Sequence, residues 1–179
     1  MKTQPVQWWT ISLLIWHFAW STSYAGTIHV CPDCPTTTIQ SAIELALPHD
    51  TVLVQHGIYP EYNIVVNKPL VLLGINRPVI DGQNKGEIVQ ITSDSVTMDG
   101  FLIRRVQTSY TQDHAALRVI TSRDFVLQNL ILEEFFFGIY LQKSHHGRIT
   151  NNKIQGNARD EFGSGNGIHL WYAQHVLIE

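Results

Sequence analysis

The chain is poor in charge. Asp, Glu, Lys and Arg make up 15% of its residues, and the formal net charge is -3. No basic run exceeds two residues, so a nucleic-acid partner is not expected. Cysteine is scarce, with only Cys31 and Cys34, so a closed four-cysteine zinc site is excluded. No Gly-rich phosphate loop is present, and nothing supports a Ser–His–Asp triad or a dinucleotide site. Long apolar runs with a period of 3.6 are also missing, which argues against helical repeats.

What is present begins with residues 1–25. Lys2 is their only charge, and an apolar stretch from Ile11 to Trp20 precedes Ser23-Tyr24-Ala25. That order is a secretory signal, with cleavage expected after Ala25. The apolar core is too short for a bilayer, which needs about 20 residues. No Cys follows it to carry a lipid. Cys31 and Cys34 would then lie in an oxidising compartment.

The remainder, 26–179, reads as one domain. Four segments resemble one another, starting at Glu87, Ala116, Gly138 and Gly167, with spacings of 29, 22 and 29 residues. Each is followed by a second short apolar run: Val96–Met98, Phe125–Leu127, Arg148–Thr150 and Val176–Ile178. The runs are short, alternate with period 2 and are broken by Asn, Gly, Ser and Asp. This predicts an all-β solenoid, a right-handed parallel β-helix. A single helix of about ten residues is expected after Thr37 or Thr38, ending at Pro48 and capping the solenoid. The chain stops at Glu179 directly after an apolar strand, which reads as a C-terminal truncation of the solenoid.

Aligning the repeats predicts which side chains stack. Ile88, Leu117, Ile139 and Ile168 are expected inward, as are Gln90, Val119, Leu141 and Leu170, with Gln90 the misfit. Val89, Arg118, Tyr140 and His169, and Ile91, Ile120, Gln142 and Trp171, are expected outward. Asp94, Arg123, His145 and Gln174 form one later column, and Ser95, Asp124, His146 and His175 another. Asn129 and Asn152 are placed at the turn after the second strand, where Asn tolerates a left-handed backbone.

Four chemistries follow from these columns. Arg118, Tyr140, Gln142, His169 and Trp171 offer rings flanked by donors, suited to a sugar or protein partner, or simply to packing under a loop such as Gln155–Gly165. His145, His146 and His175 occupy neighbouring columns, where imidazoles can converge on copper or zinc or stand as surface turn residues. Cys31-Pro-Asp-Cys34, with His29 near, is a structural disulfide, a redox pair or half a metal site. Asp94, Asp99 and Asp124 are scattered singly, a weak pattern for polysaccharide cleavage.

The run Thr38–Ala46, Asp50–Val54 and Gly57–Glu61 resembles the N-terminal unit of secreted right-handed β-helix proteins, with His49 where a Gly is usual. Val96–Ile103, Phe137–Leu141, Ile149–Ile154 and Gly165–Trp171 resemble the NosD family of periplasmic nitrous oxide reductase maturation factors, within the carbohydrate-binding and sugar-hydrolase (CASH) domain group. The resemblance covers residues 27–179. It implies a non-enzymatic periplasmic protein that assists copper-centre assembly. Its implied partners are the ATPase and permease of an ABC transporter, and nitrous oxide reductase or a copper chaperone. It supplies no ligand motif, so the metal candidates rest on stacking alone. The rival expectation is a carbohydrate-binding or polysaccharide-degrading β-helix.

Overall fold

The computed structural model describes residues 25–109, 111–156 and 165–179. The expected signal sequence, apart from Ala25, and most of the Gln155–Gly165 loop lie outside these residues. Strand β1 (Thr27–Val30) and helix α1 (Ile39–Leu45) precede five coils of three strands each. The coils are β2 (Thr51–Val54), β3 (Ile58–Tyr59) and β4 (Ile64–Val66); β5 (Val71–Gly74), β6 (Val79–Asp81) and β7 (Val89–Ile91); β8 (Thr97–Asp99), β9 (Leu102–Arg104) and β10 (Ala115–Ile120); β11 (Val126–Gln128), β12 (Ile131–Glu133) and β13 (Phe137–Gln142); and β14 (Arg148–Thr150), β15 (Lys153–Gln155) and β16 (Ile168–Trp171). Strand β17 (Leu177–Ile178) starts one more turn. All pairings are parallel and join coil to coil, giving three sheets: β1-β2-β5-β8-β11-β14-β17, β3-β6-β9-β12-β15 and β4-β7-β10-β13-β16. This is the parallel β-helix that the repeats predict.

Inward residues stack in continuous apolar columns. Val52, Leu72, Met98, Leu127 and Ile149 line the first sheet, and Tyr59, Ile80, Ile103, Leu132 and Ile154 the second. In the third sheet the columns are Ile64, Val89, Leu117, Ile139, Ile168 and Val66, Ile91, Val119, Leu141, Leu170. All of these but Ile154, Ile168 and Leu170 are buried, and each fully buried aliphatic side chain contributes about 1.5–3 kcal/mol.

The register corrects one expectation. Leu117 pairs with Val89, not Ile88, and Val119 with Ile91. Because side chains alternate, this one-residue slip turns Gln90 outward, beside Arg118, and brings Val89 and Ile91 in. The core therefore has no polar misfit at that rung.

Corners obey a simple rule. From the third sheet back to the first, the segments 92–96, 121–125, 143–147 and 172–176 have equal length, one residue longer than the first, 67–70. Thr121, Lys143 and Tyr172 open this corner and Ser95, Asp124, His146 and His175 close it, all with φ near +50 to +55°. Ser122 and Ser144 sit inside it, buried. Ser122 Oγ donates to Ser93 O, and Ser144 Oγ to Val119 O. From the first sheet to the second, Gly100, Asn129 and Asn151 occupy one left-handed position. The expected Asn129–Asn152 column is thus Asn129–Asn151. Asn152 instead turns inward, accepting from Leu130 N and donating to Leu127 O. Between the second sheet and the third, segment length is free: 82–88, 105–114, 134–136 and 156–167.

The helix has Thr38 as its N-cap, accepting from Ser41 N, and its buried face is Ile39, Ala42 and Ile43. It runs for 7 residues rather than about ten, because Ala46 is already extended ahead of Leu47-Pro48. Glu61, from the first coil, accepts from Ile39 N at 2.7 Å and Gln40 N at 3.0 Å. Gln40 returns the contact by accepting from Val65 N. The lid and the first coil are therefore joined through the otherwise unpaired N–H groups of the helix start.

Candidate functional site

The outward row of the third sheet places Gln90, Arg118, Tyr140 and His169 one above another. The Arg118 guanidinium lies 4.2 Å from the Tyr140 ring centre, and the Tyr140 and His169 rings are 4.6 Å apart. Phe137 meets both rings edge-on at 5.4 Å. Arg118 Nε donates to Glu87 Oε2 at 2.5 Å, and a further Arg118 nitrogen donates to Asp113 O. Asn166 bonds His169 Nδ1 at 2.8 Å.

This row is largely covered. Tyr140 is only 7% exposed, within a small apolar cluster of Ala115, Phe137 and Phe136. Burial pushes the Glu87 carboxyl above its usual range, outweighing the Arg118 hydrogen bond and charge that pull it down. Arg118 and Tyr140 are thus packing partners, and their faces are not free for a ligand. Gln142 and Trp171, at the strand ends, pair in register and remain outside the cluster.

Around Trp171 the surface opens into a cleft of about 570 Å3 lined by Lys143, His145, Trp171, Tyr172 and Gln174. Trp171 and Tyr172 are exposed and meet edge-on at 5.4 Å. The Lys143 ammonium stands 5.9 Å from the Trp171 ring centre.

The histidine columns form as expected. His145 bridges Arg123 and Gln174, and His146 stacks on His175 with ring centres 5.0 Å apart and planes 10° from parallel. The three rings do not converge. His145 lines the cleft, whereas His146 and His175 lie at the left-handed corner beside it. Nitrogens sharing a zinc ion at bonds of about 2.0–2.1 Å must aim at one point. Lone pairs of stacked parallel rings run side by side instead. Among the described residues no group of three or more His, Cys, Asp or Glu is arranged to hold a metal ion.

Cys31 and Cys34 are joined in a disulfide, with Cα atoms 5.0 Å apart. In this state neither sulfur is a thiolate, so the expected cysteine metal ligands are not available as such. His29 is exposed on β1, paired with Leu53 in the backbone ladder.

The carboxylates are scattered as the sequence suggests. Asp94 accepts from Arg123 N, and Asp99 from Gln128 and Asn129 side chains. Asp124 is exposed at its corner. Asp94 and Asp99 stitch coils together rather than face one groove.

Two polar anchors were not anticipated. Asp81, 1% exposed, binds Arg105 Nε at 2.6 Å and Arg104 at 3.2 Å. Burial alone would raise its carboxyl. The Arg105 hydrogen bond, the Gln83 N–H and the two guanidinium charges outweigh this and hold it low. Asp50 accepts from Gly26 N and Leu47 N, and those backbone donors depress its carboxyl as well. The sequence signal for the first was an Asp at a strand end with Arg-Arg one coil later.

No protein-family model matches the chain. It is 28% identical over 119 residues to the probable ABC transporter binding protein NosD of Pseudomonas aeruginosa, covering 65% of this chain and 28% of that protein. The chain therefore spans under a third of that relative. Among solved structures, the deglycosylated pectin methylesterase of Aspergillus niger has a TM-score of 0.43 at 14% identity, covering 88% of this chain and 76% of the other. A pectin methylesterase variant in complex with a hexasaccharide has a TM-score of 0.46 at 14% identity, covering 74% and 53%.

Proposed function

For a chain that is a NosD-like parallel β-helix, we propose a role as an exported accessory protein in copper-centre assembly of nitrous oxide reductase. It acts beside an ABC transporter, as a scaffold first and a copper handler second. The observation that carries this is the similarity to NosD, whose name describes an ABC transporter binding protein. The engagement of Asp94 and Asp99 in hydrogen bonds between coils supports a protein without turnover of its own. The stacked rather than convergent histidines and the closed disulfide favour scaffold over resident metal site. Secretion, with residues 1–25 removed and 26–179 as the exported domain, belongs to the same proposal. No helix among the described residues is long and apolar enough to cross a membrane.

The test is to produce the reductase and its transporter with and without this chain and to measure copper per reductase. The proposal expects a clear loss of copper without the chain and its co-purification with the transporter. Unchanged copper together with no co-purification defeats it.

The second reading, a carbohydrate-binding module, has one observation in its favour. The exposed Trp171 and Tyr172, flanked by Lys143, His145 and Gln174, are of the residue types that hold a sugar ring. Binding of a uronic-acid oligosaccharide, lost in Trp171→Ala, would support it, and turnover of the polymer would overturn the non-enzyme proposal.

A further inference from the structure

Cys31–Cys34 is a poor clamp. It closes a loop with a sequence separation of 3, and the entropy a disulfide removes from the unfolded chain grows with loop length. The same turn is already closed by backbone bonds. Cys34 N donates to Cys31 O at 3.2 Å and Cys31 N to Thr36 O at 3.3 Å, and Val30 bridges Thr36. The core columns lie on other residues, and the lid is held by Glu61, Gln40 and Thr38 without the sulfurs.

The pair is also accessible. Cys31 and Cys34 are partly exposed, and the intervening Pro32 and Asp33 are exposed. Pro32 forms one wall of a groove of about 250 Å3 whose other residues include Ile58, Tyr59, Pro60 and Glu61. Ile58 is 64% exposed there, an apolar side chain left open beside the disulfide. Pro32, which lies between the two cysteines, lines this groove, so an extended peptide seated in it would pass next to the Cys31–Cys34 turn.

We propose that Cys31–Cys34 is a thiol–disulfide exchange site whose partner is a dithiol protein docked in the Pro32–Ile58–Pro60 groove. The step balances. A partner thiolate attacks one sulfur, forming a mixed disulfide and releasing the other cysteine as a thiolate that takes a proton. The partner's second thiolate then attacks its own sulfur in the mixed disulfide. The second cysteine is freed and protonated, and the partner leaves oxidised by two electrons. The opened pair supplies two soft sulfur ligands, which the closed pair cannot. That last consequence rests on the copper reading above; the exchange does not.

The test uses the exported chain in glutathione redox buffers, with thiols trapped by alkylation and counted by mass. The expected result is reduction of the pair with an unchanged far-UV circular dichroism spectrum. The thermal midpoint should fall by less than about 8 °C, in line with so short a loop. Cys34→Ser, in which Cys31 is a free thiol, should form a mixed disulfide with the glutathione-capped form of a single-cysteine peptide, Cys31 attacking the peptide sulfur and glutathione leaving as the thiol. Ile58→Asp should slow that reaction with the peptide at least about 5-fold while leaving its rate with glutathione unchanged. Reduction that occurs only on unfolding, or equal peptide rates in Ile58→Asp and wild type, overturns the proposal. Failure of Cu(I) to bind the reduced pair would count against the copper reading alone.

Discussion

A very tight fit in the solenoid core lies between Phe125 and Gly147. They are neighbours in one inward column, since Val126 pairs with Arg148. Val96 precedes them and Val176 follows in the same column. A methyl group on Gly147 would run into the Phe125 ring, which is fully buried and has no room to retreat. The large ring is accommodated because the next coil offers only hydrogen. Gly147→Ala should therefore cost about 1–3 kcal/mol by overpacking. Phe125→Val, which restores the residue type on either side of the pair, leaves a cavity and should cost roughly 2–3 kcal/mol. Together the changes should offset each other, because the alanine methyl enters the space the ring vacates. The double variant should be more stable than the sum of the singles by about 1–2 kcal/mol. At about 2–4 °C per kcal/mol, thermal unfolding followed by circular dichroism resolves such a coupling. Strict additivity, within about 0.5 kcal/mol, would refute the column-filling argument.

Further outcomes follow from the polar anchors. Asp81→Asn should destabilise the chain by about 1–3 kcal/mol at pH 7, as a buried charged acceptor is lost. Because the folded-state Asp81 carboxyl is held low, its contribution is present above the ordinary Asp range and fades as pH falls through the folded value. Urea midpoints of wild type and variant should then converge between pH 5 and acid, and a constant gap would refute the assignment. Glu61→Ala should cost about 1–2 kcal/mol by stripping two helix N–H groups of their acceptor, and Thr38→Ala about 1 kcal/mol. Hydrogen exchange at Ile39–Leu45 reads both. Cu(I) titration of a His145→Ala/His146→Ala/His175→Ala variant should match wild type if the stacked rings hold no metal; a loss of affinity would show that they rearrange to converge.

The architecture was legible because a solenoid repeats its own pattern. Leu117, Ile139 and Ile168 announce one another through period-2 alternation, and the His146–His175 stack followed directly from the column. The register failed at Gln90 for a physical reason. The preceding corner, 82–88, belongs to the edge whose length varies, so spacing could not anchor the rung. The misfit of Gln90 in the expected core was the warning. The Glu61 cap and the Asp81 anchor join residues in different coils, and no local pattern marks such pairs. The Tyr140 face takes the packing alternative rather than the ligand one, and what covers it was illegible for a similar reason. It is closed by Phe136 and the carbonyl of Asp113, from the connecting segments, and by Phe137 at the very start of β13.

The uneven corners divide the molecule into a conserved geometry and a writable margin. Two edges of the prism settle to a constant residue number from the third coil onward, as 100–101, 129–130 and 151–152 on one and 92–96, 121–125, 143–147 and 172–176 on the other show. The third, whose segments range from the three residues 134–136 to the twelve residues 156–167, accepts very different lengths at little cost to the stack. Novelty along such a chain is added sideways. New surface can be written into one edge, coil by coil, while the core columns keep their register.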